Sequence, residues 1–213
     1  MNKLLFLVLY IFDFTSILTP MNDFILYFKM GLHHVLDFSA YDHLLFLIVL
    51  AVVFSFAQFR KVGWLVTLFT IGHTVTLACA SYGVFNAQMK WIEFLIPVSI
   101  IITGTVNILS AHKTSVGKEN INLVFALFFG LIHGFGFSNY FKMMVGKGDY
   151  KLFPLLEFAL GIEAAQLLII SGILLIGFAL QNLFKVRKRD WIFVCSSIVV
   201  GFSIQMMLNR VFW

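Results

Sequence analysis

The side chains of this chain that could do chemistry are histidines and carboxylates embedded in, or directly bordering, long apolar runs. An ionisable side chain in hydrocarbon costs at least about 2.5 kcal/mol, so a residue of this kind is a functional candidate by default. Imidazole and carboxylate ligands together suit a borderline divalent transition metal such as Ni²⁺ or Zn²⁺. The candidate metal ligands are His34, Asp42, His43, His73, His133 and Glu163.

Five other polar residues accompany these candidates. Thr70 and Thr74 recur at helical spacing around His73, which gives that segment a polar stripe expected to face other helices. Gln166 follows Glu163 by one helical turn, Glu93 opens another apolar run, and Asp37 lies in the first polar group. We expect these five to support the site, with Asp37 more solvated than ligating. The pattern assigns no catalytic residue.

Several of the candidates are predicted to lie at similar depths in the membrane. His73, His133 and Glu163 are each predicted to lie near the middle of a membrane helix, with His43 nearer the outer face. The alternative for any one buried histidine is a packing role, in which its ring bonds to a neighbouring carbonyl or threonine. Histidines at matching depth on several helices favour a shared metal site over that alternative.

The elements that must position these residues are membrane helices. The chain has 213 residues, of which 61% are hydrophobic and 12% charged, whereas soluble domains carry about 25% charged residues. Runs of about 20 apolar residues without alternating periodicity predict helices and not barrel strands. The fold class is therefore all-α, a polytopic bundle of about six core transmembrane helices. The predicted runs are 44–59 (extending back toward 39), 62–85, 94–111, 121–141, 153–184 and 191–208.

The basic residues predict topology and not nucleic-acid binding, because they lie in short clusters between apolar runs. The strongest cluster, 185–189, places its loop in the cytoplasm and places residues 21–41 outside. Residues 1–20 are a possible signal peptide, an extra helix or a non-native extension, and residues 21–213 form a single domain. Ala126, Gly130 and Gly134 share one helical face and predict close helix packing there.

Four segments together resemble the HupE/UreJ family of hydrogenase and urease accessory membrane proteins. They are 42–46 (DHLLF) with His34 upstream, 69–74 (FTIGHT), 129–137 (FGLIHGFGF) and 161–166 (GIEAAQ). The resemblance covers about residues 21–213 and implies a six-helix protein of the bacterial inner membrane, associated with nickel or cobalt permeation. Val35 stands where the family pattern has proline, and the spacing from His34 to Asp42 is two residues longer than usual.

Two functions of different classes remain open at this stage. The favoured one is a divalent-cation permease for nickel or cobalt, in contact with membrane lipid and metal ion. The runner-up is an intramembrane zinc-dependent hydrolase, similar in layout to the seven-helix ceramidase-like enzymes, in which three histidines hold Zn²⁺. A third is an accessory protein whose site only stabilises the bundle. Neither the metal, the direction of transport nor the oligomeric state follows from the sequence.

Overall fold

The computed structural model describes residues 23–37, 41–84, 88–111, 119–145 and 151–212. Within these ranges the chain forms helices and no strands, which confirms the predicted all-α bundle. Residues 1–20 lie outside the described ranges. The helices are α1 (23–36), α2 (Asp42–Ala51), α3 (Phe59–Ser81), α4 (Met89–Ser110), α5 (Glu119–Val145), α6 (Leu152–Asn182) and α7 (Lys188–Asn209).

Five of these helices, α3 to α7, are long and apolar enough to cross a bilayer, judged by length and composition. They correspond to the last five predicted runs. The prediction for the first run, 44–59, is wrong in extent, because α2 has only 10 residues and spans about 15 Å, half of a hydrocarbon core.

Local hydrogen bonds explain why α2 ends early. Ser55 is extended (φ −99°, ψ 161°), and its backbone N–H and hydroxyl both donate to Gln58 Oε1, at 3.1 and 3.3 Å. These bonds stabilise a turn and a short 3₁₀ helix, Phe56–Gln58, in place of a continuous helix. The apolar run therefore contains a break that hydropathy does not reveal.

Helix α1 was not predicted, because its segment was expected to be an external connection. Its buried residues recur at helical spacing and face α6, where two glycines bring the backbones together. A methyl group built on Gly31 would overlap the carbonyl oxygen of Phe158, and one built on Gly161 would overlap that of Phe28. Since a glycine pair lets two helices approach this closely, α1 joins the bundle and carries His34 with it.

Helices α3 and α5 make a second close contact, which confirms the packing predicted from the small residues of α5. A methyl group on Gly130 would overlap the carbonyl oxygen of Phe69, and one on Gly134 would overlap that of His73. Ala126 on the same face is 1% exposed. Because the offset between contacting residues is constant, the two helices run in the same direction, and His73 and His133 come to similar heights.

The two ends of the bundle are distinguished by their contacts. At one end the rings of Phe56 and Phe178 lie 6.1 Å apart, beside Arg60 and the basic segment 185–189; we name it the Lys185 end. At the other end Lys151 Nζ donates to the carbonyl of Ser81 at 2.9 Å. This second end also contains the start of α4, and we name it the Glu93 end. The basic clusters near Arg60 and at 185–189 therefore share one end of the molecule, as the predicted topology requires.

Candidate metal centre

Three histidines from three different helices meet inside the bundle. The ring centroids of His34 (α1) and His43 (α2) are 4.6 Å apart, and those of His73 (α3) lie 5.7 Å from His34 and 6.2 Å from His43. One ligand nitrogen from each ring lies within 4.8 Å of the other two. We call these three residues the histidine cluster. It lies nearer the Glu93 end, since His73 is closer to Ser81 than to Phe59.

His43 and His73 are buried, His34 is half-buried, and the cluster has ring nitrogens available for a ligand. His73 is 0% exposed and His43 is 6% exposed. Among the described residues, no hydrogen-bond partner is found for His34 Nε2, His43 Nε2 or either ring nitrogen of His73. A buried polar atom without a partner costs about 1–3 kcal/mol, and three such rings converging on one point fit a metal ion that accepts their lone pairs.

The spacing of the nitrogens fits an ion after a small adjustment. With metal–nitrogen bonds of about 2.1 Å, two ligands of one ion can lie at most about 4.2 Å apart. The observed limit of 4.8 Å slightly exceeds this, so binding would draw the imidazoles together. Three neutral imidazoles suit Ni²⁺, Co²⁺ or Zn²⁺ better than Mg²⁺ or Ca²⁺, which prefer oxygen ligands.

Asp42 orients one member of the cluster. Its Oδ1 lies 3.2 Å from His43 Nδ1 and accepts the backbone N–H of His43 at 2.9 Å. A carboxylate beside Nδ1 favours the tautomer with hydrogen on that nitrogen, which leaves the lone pair on Nε2. Asp42 therefore makes the contact that commonly orients a metal-binding histidine, a carboxylate bonded to the ring nitrogen that does not bind the metal. We call such a residue an outer-shell partner.

Arg210 secures this carboxylate and was missed by sequence analysis. Its Nη2 lies 3.7 Å from Asp42 Oδ2, and its Nη1 donates to the carbonyl oxygen of Glu93 at 3.1 Å. The guanidinium thus joins the end of α7 to α2 and α4. The sequence did contain a signal for this contact. Arg210 is a lone arginine at the end of the last apolar run, and the predicted topology places it at the same end of the bundle as Asp42.

His133 borders the cluster on one side. Its ring centroid lies 5.5 Å from that of His43 and 5.2 Å from that of Phe69. It is 2% exposed, and neither of its ring nitrogens has a partner among the described residues. It is not part of the three-residue group of converging ligand atoms and lies beside that group.

Aromatic side chains surround the imidazoles and exclude water. The ring of Phe137 lies 3.9 Å from that of His34, and the ring of Phe46 lies 5.4 Å from that of His133. Phe158 and Phe69 complete this wall from α6 and α3. A low local dielectric strengthens every electrostatic interaction in the centre.

Glu163 lies apart from the histidines, in contrast to the predicted common site. Its Oε1 accepts a hydrogen bond of 2.6 Å from Thr67 Oγ1, and Gln166 Oε1 accepts one of 2.9 Å from Thr70 Oγ1. These four residues, which we call the α3–α6 polar patch, connect α3 and α6. A carboxylic residue at a helix centre costs about 2.5–3.5 kcal/mol to insert, whereas an interhelical hydrogen bond returns about 0.6 kcal/mol on average.

The remaining predicted supporting residues are more peripheral. Asp37 and Glu93 have exposed side chains, and Thr74 is half-buried beside His73. Cys79 and Cys195 are free thiols. The structure therefore brings together His34, Asp42, His43, His73 and His133, while Glu163, Thr70 and Gln166 form a neighbouring group.

Comparison with known proteins agrees with the architecture. The HupE / UreJ protein family matches residues 5–210, which is nearly the whole chain. No curated protein and no solved structure matches it. With five long apolar helices and a buried histidine cluster, this multi-pass membrane protein belongs to the HupE / UreJ protein family.

Proposed function

We propose that this protein is a permease for a divalent transition metal, Ni²⁺ or Co²⁺, in a bacterial inner membrane. The observation that carries the proposal is the histidine cluster, in which imidazoles from α1, α2 and α3 converge, each with at least one buried ring nitrogen that has no partner among the described residues. The HupE / UreJ family relates the chain to nickel and cobalt handling, and neutral imidazoles suit these ions.

The ligand set suits transient binding. It contains no thiolate, and its carboxylate, Asp42, contacts His43 and is not one of the three converging ligands. Conduction requires a site that binds strongly enough to dehydrate the ion and weakly enough to release it. An inward divalent ion gains about 4.6 kcal/mol from a potential of 100 mV, so the membrane potential is a sufficient driving force.

A zinc-dependent hydrolase is the competing function, since three histidines also form a common catalytic zinc site. Such an enzyme needs a general base that is free to activate water. Both oxygens of Asp42 are engaged, Oδ1 by His43 and Oδ2 by Arg210, and Glu163 is outside the group of converging ligand atoms. These contacts favour the permease.

The test combines metal binding with transport by the full chain. Purified protein is titrated with Ni²⁺, Co²⁺ and Zn²⁺, and proteoliposomes with an inside-negative potential are assayed for uptake of each ion. We expect about one metal per chain and uptake that increases with the potential. The matched variants are His43→Ala, which should lose both properties, and His33→Ala, which removes an exposed imidazole and should retain them. One tightly held zinc per chain without any flux would contradict the permease and support the hydrolase.

A further inference from the structure

The α3–α6 polar patch lies next to the histidine cluster along α3. Thr70 precedes His73 by about one helical turn, and Thr67 precedes it by about two, on the side facing the Lys185 end. On α6, Glu163 and Gln166 are also one turn apart and therefore share a face. The patch is therefore the next group of polar side chains along α3 from the cluster toward the Lys185 end.

The hydrogen bonds of the patch do not account for its composition. The cost of inserting a carboxylate at this position is several times what one interhelical hydrogen bond returns. A serine or glutamine could accept from Thr67 at a lower cost. The carboxyl group of Glu163 is therefore the feature that needs a function.

Gln166 provides the second observation. Its side chain is 0% exposed, and no partner for its Nε2 is found among the described residues. Rotating the amide by half a turn would let Nε2 donate to Thr70 Oγ1 and would free Oε1 as an acceptor. The patch would then offer carboxylate and amide oxygens to a cation, with the threonine hydroxyls beside them.

We propose that Glu163 and Gln166, supported by Thr67 and Thr70, form a second station that receives the divalent cation from the histidine cluster. The proposal rests on the permease function and extends it. Oxygen ligands hold Ni²⁺ and Co²⁺ less firmly than imidazoles do, so the ion leaves this station more readily. The order of ligands, nitrogen near the Glu93 end and oxygen beyond it, favours release toward the Lys185 end.

The test compares equilibrium binding with transport in Glu163→Gln. Glutamine keeps an acceptor for Thr67 but removes the charge, so the bundle should fold normally. With Ni²⁺ as the probe, we expect one ion per chain and an affinity within about twofold of wild type, while uptake into proteoliposomes falls at least tenfold. Glu163→Asp, which retains the charge, should recover part of the uptake. Asp190→Asn is the control, since it removes a carboxylate that is exposed and paired with Arg187 on α7, and its uptake should stay within twofold of wild type.

Two results would overturn the second station while leaving the permease intact. The first is a Glu163→Gln variant whose uptake stays within twofold of wild type. The second is a variant that loses binding and uptake in equal measure, which would make Glu163 part of the first site. If the wild-type chain itself takes up no Ni²⁺, the permease is contradicted, and the second station with it.

Discussion

Helix α3 contributes to two polar regions that differ in their chemistry. In the histidine cluster, His73 meets two other imidazoles whose Nε2 atoms lack partners among the described residues. In the α3–α6 polar patch, Thr67 and Thr70 donate to oxygen acceptors on α6. The first region has lone pairs free to bind a metal, whereas the second is already held together by hydrogen bonds. Under the proposed function, the contrast is between a stronger metal site and a weaker one beside it.

Removing an imidazole should have the largest effect. His73→Ala removes one of three converging ligands, and loss of an outer-shell partner alone costs about 10–100-fold in metal affinity. We therefore expect Ni²⁺ affinity to fall by more than about 100-fold, measured by calorimetric titration. Hydrogen bonds in the α3–α6 polar patch should persist, so thermal stability without metal should hardly change. Unchanged affinity would show that His73 is a packing residue.

A glycine substitution should disturb both regions through the position of α3. In Gly130→Ala the new methyl group overlaps the carbonyl oxygen of Phe69, and overpacking of this kind costs about 1–3 kcal/mol. We expect a lower melting temperature in detergent together with weaker Ni²⁺ binding. Gly172→Ala is the matched control, because nothing lies within 4 Å of its added methyl group. Equal melting temperatures for the two variants would refute the close contact between α3 and α5.

Neutralising the outer-shell carboxylate should weaken the cluster without destroying it. Asp42→Asn keeps an oxygen near His43 Nδ1 but removes the charge that makes the imidazole a stronger ligand. We expect Ni²⁺ affinity to fall by about tenfold. Asp190→Asn, which alters an exposed carboxylate paired with Arg187 at the far end, serves as control. A loss as large as that of His73→Ala would instead make Asp42 a direct ligand.

The smallest effect is expected from one hydrogen bond of the α3–α6 polar patch. Thr70→Val keeps the shape of the side chain and removes its bond to Gln166, which should lower stability by about 0.6 kcal/mol. Chemical or thermal unfolding in detergent measures this change, with the exposed Thr105 changed to Val as the reference. Ni²⁺ affinity should stay within about twofold of wild type. A large loss of Ni²⁺ affinity would indicate that the two regions form a single binding site.

Part of the fold followed from the sequence because it depends on local composition. Five runs of apolar residues gave helices α3 to α7, with ends shifted by a few residues. The break after Ala51 was missed because it arises from the side-chain bonds between Ser55 and Gln58. Helix α1 was missed because its 23–36 segment is too short to read as a membrane span and contains Asp23, Lys29 and two histidines.

The sequence indicated which polar residues are buried better than it indicated which of them lie together. His73, His133 and Glu163 were predicted to share a height, with His43 nearer the outer face, and the structure places the ring of His43 next to those of both His34 and His133. Glu163 was expected to join them because it lies at a similar depth. Depth along a helix, however, does not specify which neighbouring helix a side chain faces. That direction depends on the rotation of α6, which its contacts with α1 and α3 determine.

The sequence by itself determined that this protein is a membrane helix bundle with buried imidazoles and carboxylates, because hydropathy and the cost of buried charge act locally. The tertiary structure decided which of those residues meet. Glycine contacts between α1 and α6 and between α3 and α5 set the distances at which helices approach. Those contacts place His34 beside His43 and His73, and they assign Glu163 to a separate group with Thr67. Packing between helices that are distant in sequence thus defined the centre.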